Sequence, residues 1–311
     1  MNKNCFVFIV GSPRSGTTVL GEILDKHRKI SQWYEPYFIW DKHFRNAGDD
    51  CRSAVDATPI VKRHIQSSFL RYKTKTDSSI IVDKSPRNSL KMPFIREIFP
   101  EARFIHIIRD GRDATLSIHK EWLRRRQIVH GNDMHSRFNY MKALSVVRSW
   151  LSRQPFVQDR INAFWFETHG HFLDKSKHLN RLRWEGETGW GPRCEGWQQL
   201  YNSSSLLQFN AYQWLKCVDT IRQDWSNIPT PNKLEFRYED LIQNGTQKIY
   251  EILDFIGVQP DKQFNDSLPV LKRNNFNKWK KEFSNQQLDE IQSILTPMLI
   301  SLGYERNNEW T

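Results

Sequence analysis

The sequence predicts an α/β protein: a three-layer fold of phosphate-loop type, with a central parallel sheet flanked by helices and an irregular aromatic and basic insertion. Three observations carry this. A short apolar run, Cys5 to Val10, leads into the glycine-bounded stretch GSPRSGTT and then into a helical stripe. Two further apolar runs, Ser78 to Asp83 and Ala102 to Asp110, have the length and composition of buried parallel strands. Helical patterns separate and follow these runs, and strands alternating with helices imply a parallel sheet covered on both faces.

Taken in order, the first helix is marked by Val19, Leu20, Ile23 and Leu24 on one face. A weaker helical pattern from about Arg87 to Phe99 joins the second and third strands, and Ala114, Leu116, Ile118 and Trp122 lie in the segment after the third. From about His130 to Ser205 the pattern turns irregular and rich in Trp, Arg, His and Gly. Within it, the glycines and Pro192 of RWEGETGWGPRCEGW (Arg183 to Trp197) read as loop. This stretch is expected to be an insertion on the core, serving either substrate selection or as a packed-down flap. A helix follows from about Leu206 to Trp225, then a strand in KLEFRYEDL (Lys233 to Leu241) with a helix starting at Glu239. Leu288, Ile291, Ile294 and Leu295 mark a closing helix. With no internal repeat, residues 1–311 read as a single domain interrupted at about 130–205.

Composition bounds the partners. The chain has 311 residues, 38% apolar and 13% aromatic, ample for a buried core. Its 46 basic and 35 acidic residues leave a net charge of +11, which favours an anionic partner: nucleotide, nucleic acid, acidic glycan or acidic peptide. Cys5, Cys51, Cys194 and Cys217 form no CxxC pair, arguing against a zinc site or disulfide framework. Neither a convincing signal peptide nor a run as long as a membrane span is present, so a soluble, cytoplasmic protein is expected.

The glycine-bounded loop carries the chemistry. Backbone N–H groups aimed by a helix N-terminus bind phosphate, Gly11 and Gly16 permit the turn, and Thr17 and Thr18 add hydroxyl donors. A nucleotide triphosphatase carries Gly-Lys-Ser/Thr at the loop's end; here the residues are Gly16, Thr17 and Thr18. The cation is instead Arg14, two residues before the second glycine, whose planar guanidinium suits a terminal tetrahedral anion without a metal. A second anion site follows the third strand, where Arg109 lies at the carboxyl end and Ser117 eight residues on. Together they predict a ligand with two separated anionic groups.

These residues resemble a known family. GSPRSGTT after a first strand, with FIHIIRDGRDATLS later, is similar to the sulfotransferases that use 3′-phosphoadenosine-5′-phosphosulfate (PAPS), most of all the tyrosylprotein and bacterial branch. The resemblance implies that Pro13, Arg14, Ser15, Gly16, Thr17 and Thr18 hold the 5′-phosphosulfate, and that Arg109 and Ser117 hold the 3′-phosphate. It further implies that Glu35, twenty-one residues after Arg14, is the general base, and that Lys84 in VDKSP stabilises the transferring group. Tyr238 in FRYEDL and Lys278 in NKW match nucleotide-contacting positions. The implied reaction is O-sulfation of an acceptor hydroxyl, with adenosine 3′,5′-bisphosphate (PAP) as product and no metal. The family's serine near the sulfuryl group has only Ser267 as a candidate, and the insertion does not align with the family's peptide-binding region. The small-molecule branch places a histidine just after the second strand, where this chain reads Asp83-Lys84-Ser85.

An aromatic and basic insertion on the acceptor side suits a carbohydrate: aromatics stack on sugar rings and arginines pair with carboxylates or sulfates. A tyrosyl peptide, a phenolic or alcohol metabolite, or a lipid-linked sugar are the alternatives. Two further readings stand outside the class. One is a metal-dependent kinase, with Asp83 as its magnesium ligand. The other is a basic nucleic-acid-binding module, against which the scattered charges and missing recognition helix argue. His106 reads as a core histidine, His27 as structural, and EWLRRRQ (Glu121 to Gln127) as a solvated helix face or a contact for an acidic acceptor.

Overall fold

A computed structural model describes residues 5–130, 184, 189–271 and 276–310. Among these, five strands form one sheet: β1 (Cys5–Val10), β2 (Ile30–Tyr34), β3 (Ile80–Lys84), β4 (Arg103–Ile108) and β5 (Lys233–Arg237). The order is β2-β3-β1-β4-β5, and every pairing is parallel. The helices, in chain order, are α1 (Thr17–Leu24), α2 (Tyr37–Trp40), α3 (Pro59–Thr76), α4 (Met92–Ile98) and α5 (Gly111–His130). After the undescribed middle come α6 (Trp197–Ser203), α7 (Leu206–Trp225), α8 (Tyr238–Gln243), α9 (Gly245–Ile256), α10 (Lys262–Ser267), α11 (Trp279–Glu282) and α12 (Asn285–Ser301).

The alternation of strand side chains builds two of the layers. Phe6, Phe8 and Val10 face one side and pack with Val61, Ile65 and Phe69 of α3 and with Phe94, Ile95 and Ile98 of α4. Val7 and Ile9 face the other, against Leu20, Ile23 and Leu24 of α1 and Ile249, Ile252 and Leu253 of α9. Both faces are apolar, which is why β1 reads as an unbroken hydrophobic run. A third cluster joins α5, α6, α7 and α12 around Trp122, Trp197, Phe209, Trp214 and Leu295.

Three expectations change. β2 was not read from the sequence. The single helix expected over 87–99 is a 3₁₀ segment, Pro86–Leu90, followed by α4. Pro93 falls in the first turn of α4, where a missing N–H is harmless, rather than inside a continuous helix. The helix after β5 starts at Tyr238, one residue early. Most of the expected insertion, 131–183 and 185–188, lies outside the described residues. Its described part is irregular over 189–196 and then helical, and Trp184, Cys194 and Trp197 belong to the third core cluster. No described helix is long and apolar enough to cross a membrane.

Candidate active site

Strand register places the site. Tyr34 of β2 and Ile9 of β1 both lie beside Lys84, the last residue of β3. On the other side of β1, Ile108 of β4 is paired with Arg237 of β5. β4 and β5 run two residues past the end of β1, whose Val10 pairs with His106, but all five strands deliver their carboxyl ends to one edge of the sheet. The next residues are the glycine-bounded loop after β1, Glu35 after β2, Arg109 after β4 and Tyr238 after β5. Ligands of open parallel sheets bind at this edge. Except for Ser15 and the candidate Ser267, the residues assigned to the donor and to catalysis line one cleft of about 720 Å³ there: Pro13, Arg14, Gly16, Thr17, Thr18, Glu35, Lys84, Arg109, Ser117, Tyr238 and Lys278.

The loop is braced from within. The Gly11 N–H donates to Ser89 Oγ (3.0 Å), which donates back to the Gly11 carbonyl (2.9 Å). Ser15 is buried, and its hydroxyl donates to the Ser12 carbonyl (2.7 Å), so its side chain ties the turn and does not face the cleft. Gly16 caps α1 at φ 97°, and a Cβ there would stand 2.4 Å from the Tyr238 ring. Only glycine admits both the left-handed backbone and that approach. Arg14 shares the left-handed region, at φ 67°.

Two arginines link the anion sites. Arg14 Nε donates to Ser117 Oγ (3.0 Å), and Arg109 Nη1 donates to the Arg14 carbonyl (2.8 Å). The Arg109 guanidinium lies 4.8 Å from the centre of the Tyr238 ring. Lys278 reaches the cleft through Asp113, which also lies 4.0 Å from Arg109. The Asp113 carboxylate accepts the N–H groups of Asn277 (2.6 Å) and Trp279 (3.0 Å), pinning the approach to α11 against α5.

At the opposite end Lys84 Nζ meets Glu35 Oε1 at 2.5 Å. The Lys84 side chain is 2% exposed and Glu35 19%, so the pair is set into the wall. The ammonium also lies 4.3 Å from the centre of the Tyr34 ring. Glu35 is at φ 46°, an uncommon conformation for a side chain of this size.

The other candidates separate from the cleft. Asp83 is fully buried, accepting from Trp40 Nε1 (2.7 Å) and Ser85 Oγ (2.6 Å), and burial pushes its carboxyl up to about 6. This enclosure turns it away from the role of a magnesium ligand facing a nucleotide. Among the described residues no group of three or more His, Cys, Asp or Glu is placed to hold a metal. Ser267 is corrected: its hydroxyl donates to the Phe264 carbonyl (2.7 Å) in α10, and it does not line the cleft. His106 is buried with Nδ1 2.8 Å from Glu235, and burial lowers its pKa. His27 is bonded to the Gln259 carbonyl (3.0 Å).

The outer wall includes part of EWLRRRQ, which the sequence offers as a solvated helix face or a contact for an acidic acceptor, beside residues not singled out there. Lys120, Glu121, Arg124 and Arg125 of α5, with Trp190 and Glu282, continue the cleft beyond Ser117. Glu121 accepts from Arg124 (2.9 and 2.6 Å) and from Arg125 Nε (2.7 Å). Burial alone would raise the Glu121 carboxyl, but the two guanidiniums outweigh it and hold it below the ordinary range.

A parallel sheet with a glycine-bounded loop after its first strand and an arginine after its fourth, both at the carboxyl edge, defines a class: α/β proteins with the layout of a phosphate-binding loop. Within that class, residues 7–161 match the model of the sulfotransferase family, and the chain belongs to that family. Protein-tyrosine sulfotransferase A of Caenorhabditis elegans is 30% identical over 156 residues, covering 42% of this chain and 36% of that protein. The nodulation protein NoeE of Sinorhizobium fredii is 24% identical over 130 residues, covering 37% of this chain and 31% of it. Omega-hydroxy-beta-dihydromenaquinone-9 sulfotransferase Stf3 of Mycobacterium bovis is 25% identical over 191 residues, covering 40% and 47%. The chain thus spans under half the length of each of these relatives. The sulfotransferase domain from the curacin biosynthetic pathway shares the fold over 96% of this chain and 97% of that one, at 14% identity and a TM-score of 0.55.

Proposed function

We propose that this protein is a PAPS-dependent O-sulfotransferase acting on a carbohydrate hydroxyl and releasing PAP. One observation carries the reading: the carboxyl edge of the parallel sheet sets the Glu35–Lys84 pair and the glycine-bounded loop into the same cleft. The residues present fit the donor. Gly11 and Gly16 give a loop whose backbone a phosphate can approach, and Arg14, Lys84, Arg109 and Lys278 surround it with positive charge. The donor supplies an activated sulfuryl group and a phosphate leaving group.

The chain's own residues supply the rest. Thr17, Thr18 and the loop amides hold the 5′-phosphate at the α1 N-terminus, and Arg109 with Ser117 receives the 3′-phosphate. Glu35 takes the proton of the acceptor hydroxyl. Lys84 and Arg14 place fixed positive charge where negative charge grows on the sulfuryl and bridging oxygens. Such preorganised charge contributes most where water is excluded, and the burial of Lys84 meets that condition. We read residues 1–311 as one domain, with about 130–205 on the acceptor side. The buried, fully bonded Asp83 argues against the kinase alternative.

The test is a labelled-donor screen across carbohydrate, peptide and phenolic acceptors, beside direct titration with PAP. Transfer to a carbohydrate together with PAP binding is expected. Magnesium-dependent ATP turnover without PAP binding would sink the assignment, and transfer confined to tyrosyl peptides would replace the acceptor.

A further inference from the structure

Arg124 and Arg125 are neighbours on α5, and successive helical residues point about 100° apart. Here a single carboxylate draws them together. Glu121 stands three residues before one and four before the other, and it accepts from Arg124 Nε and Nη2 and from Arg125 Nε. The side chain of Glu121 is 14% exposed, whereas Arg124 is 46% and Arg125 32% exposed. One negative charge is thus shared between two guanidiniums, and one unit of positive charge is left over. Among the described residues, Glu121 engages three nitrogens of the pair, and both arginine side chains keep exposed area in the cleft wall. All three residues line the same cleft as Glu35 and Lys84.

Two aromatic faces lining the cleft carry cations. Lys84 lies over Tyr34 at 4.3 Å, and Arg125 over Trp190 at 5.4 Å. A phenol entering here meets rings already engaged on one face. A hydroxyl-rich acceptor with its own negative charge meets donors instead.

We propose that Arg124 and Arg125, converged by Glu121, form an acceptor subsite for an anionic group, a carboxylate or an existing sulfate ester, on an acidic saccharide. This rests on the sulfotransferase reading above and specifies its acceptor. Glu121 is a positioning residue: it aims the two guanidiniums and touches no substrate itself.

The experiment uses the whole chain saturated with PAP. Three probes are titrated by calorimetry: an oligosaccharide alternating glucuronic acid with N-acetylglucosamine, a neutral N-acetylglucosamine oligomer of equal length, and an acidic tyrosyl peptide. The uronic acid probe should bind about tenfold or more tighter than the neutral one, as charge-assisted hydrogen bonds to two arginines require. That preference should shrink as salt is added. R124A/R125A should erase it and leave PAP affinity unchanged, and R124K/R125K should retain part of it, which separates lost charge from misfolding. Equal affinity for the charged and neutral sugars, an undiminished preference in R124A/R125A, or tighter binding of the peptide would overturn the subsite. Failure of the wild type to bind PAP would instead overturn the sulfotransferase reading.

Discussion

Gly16 meets two demands in one position. Its φ of 97° is outside the range of most side chains, and the Tyr238 ring occupies the space a Cβ would need. Gly16→Ala should therefore lower stability by about 1–3 kcal/mol and weaken PAP binding with it. Chemical denaturation and PAP titration of one preparation check both. Glu35 has a different signature. Glu35→Gln preserves shape and removes basicity, so turnover should fall by about 10²–10⁴ while PAP affinity stays close to that of the wild type. Normal transfer by that variant would reject Glu35 as the base. The loop was legible because glycines and a lone arginine follow an apolar run. The inward turn of Ser15 was not, since nothing in a linear pattern tells which hydroxyl closes a turn on its own backbone.

Among the elements, β2 shows where sequence patterning stops. Ile30, Ser31, Gln32, Trp33 and Tyr34 form no apolar run and no alternation, because this is an edge strand paired only with β3. Three of its polar groups are bonded across elements: Ser31 by Ser78 (2.5 Å), the Gln32 N–H by Asp25 (2.7 Å) and the Gln32 carbonyl by Tyr72 (2.8 Å). Those partners lie up to 47 residues away in sequence, beyond the reach of a local window. The apolar strands β1, β3 and β4 were visible for the opposite reason, being buried on both faces. Lys278 raises the same issue at the far end of the chain. Its position depends on Asp113, 164 residues before Asn277. Asp113→Ala should release residues 277–279, weaken PAP binding by about tenfold and speed amide exchange there. Unchanged exchange would show that the segment is held by other means.

For the whole molecule, the proposed function links donor binding to folding. PAP at about 100 times its dissociation constant should stabilise the fold by about 2.7 kcal/mol, and Arg109→Ala should reduce that gain at equal concentration. Thermal unfolding at several PAP concentrations measures both. Acidity acts through Asp83, whose carboxyl is raised from 3.8 to about 6, first by desolvation and against the hydrogen bonds from Ser85 and Trp40. A raised acid binds its proton more tightly when folded. Its contribution is therefore fully present below pH 3.8 and is lost as pH rises through about 6. Asp83→Asn, with a permanently neutral side chain, should flatten the stability profile across that window. A profile unchanged from the wild type would assign the dependence to other groups.

The carboxyl edge of the sheet divides the cleft into two kinds of structure. Its floor is fixed by backbone registry, and a one-residue slip in any strand would misplace a donor-side or reacting group. Its outer wall is made of helix surface and irregular chain, at Lys120 to Arg125 and Trp190, whose side chains can be exchanged without disturbing that registry. Such a molecule can change its clientele while keeping its chemistry. Variation among descendants of this scaffold should accumulate on the wall, and the floor should drift least.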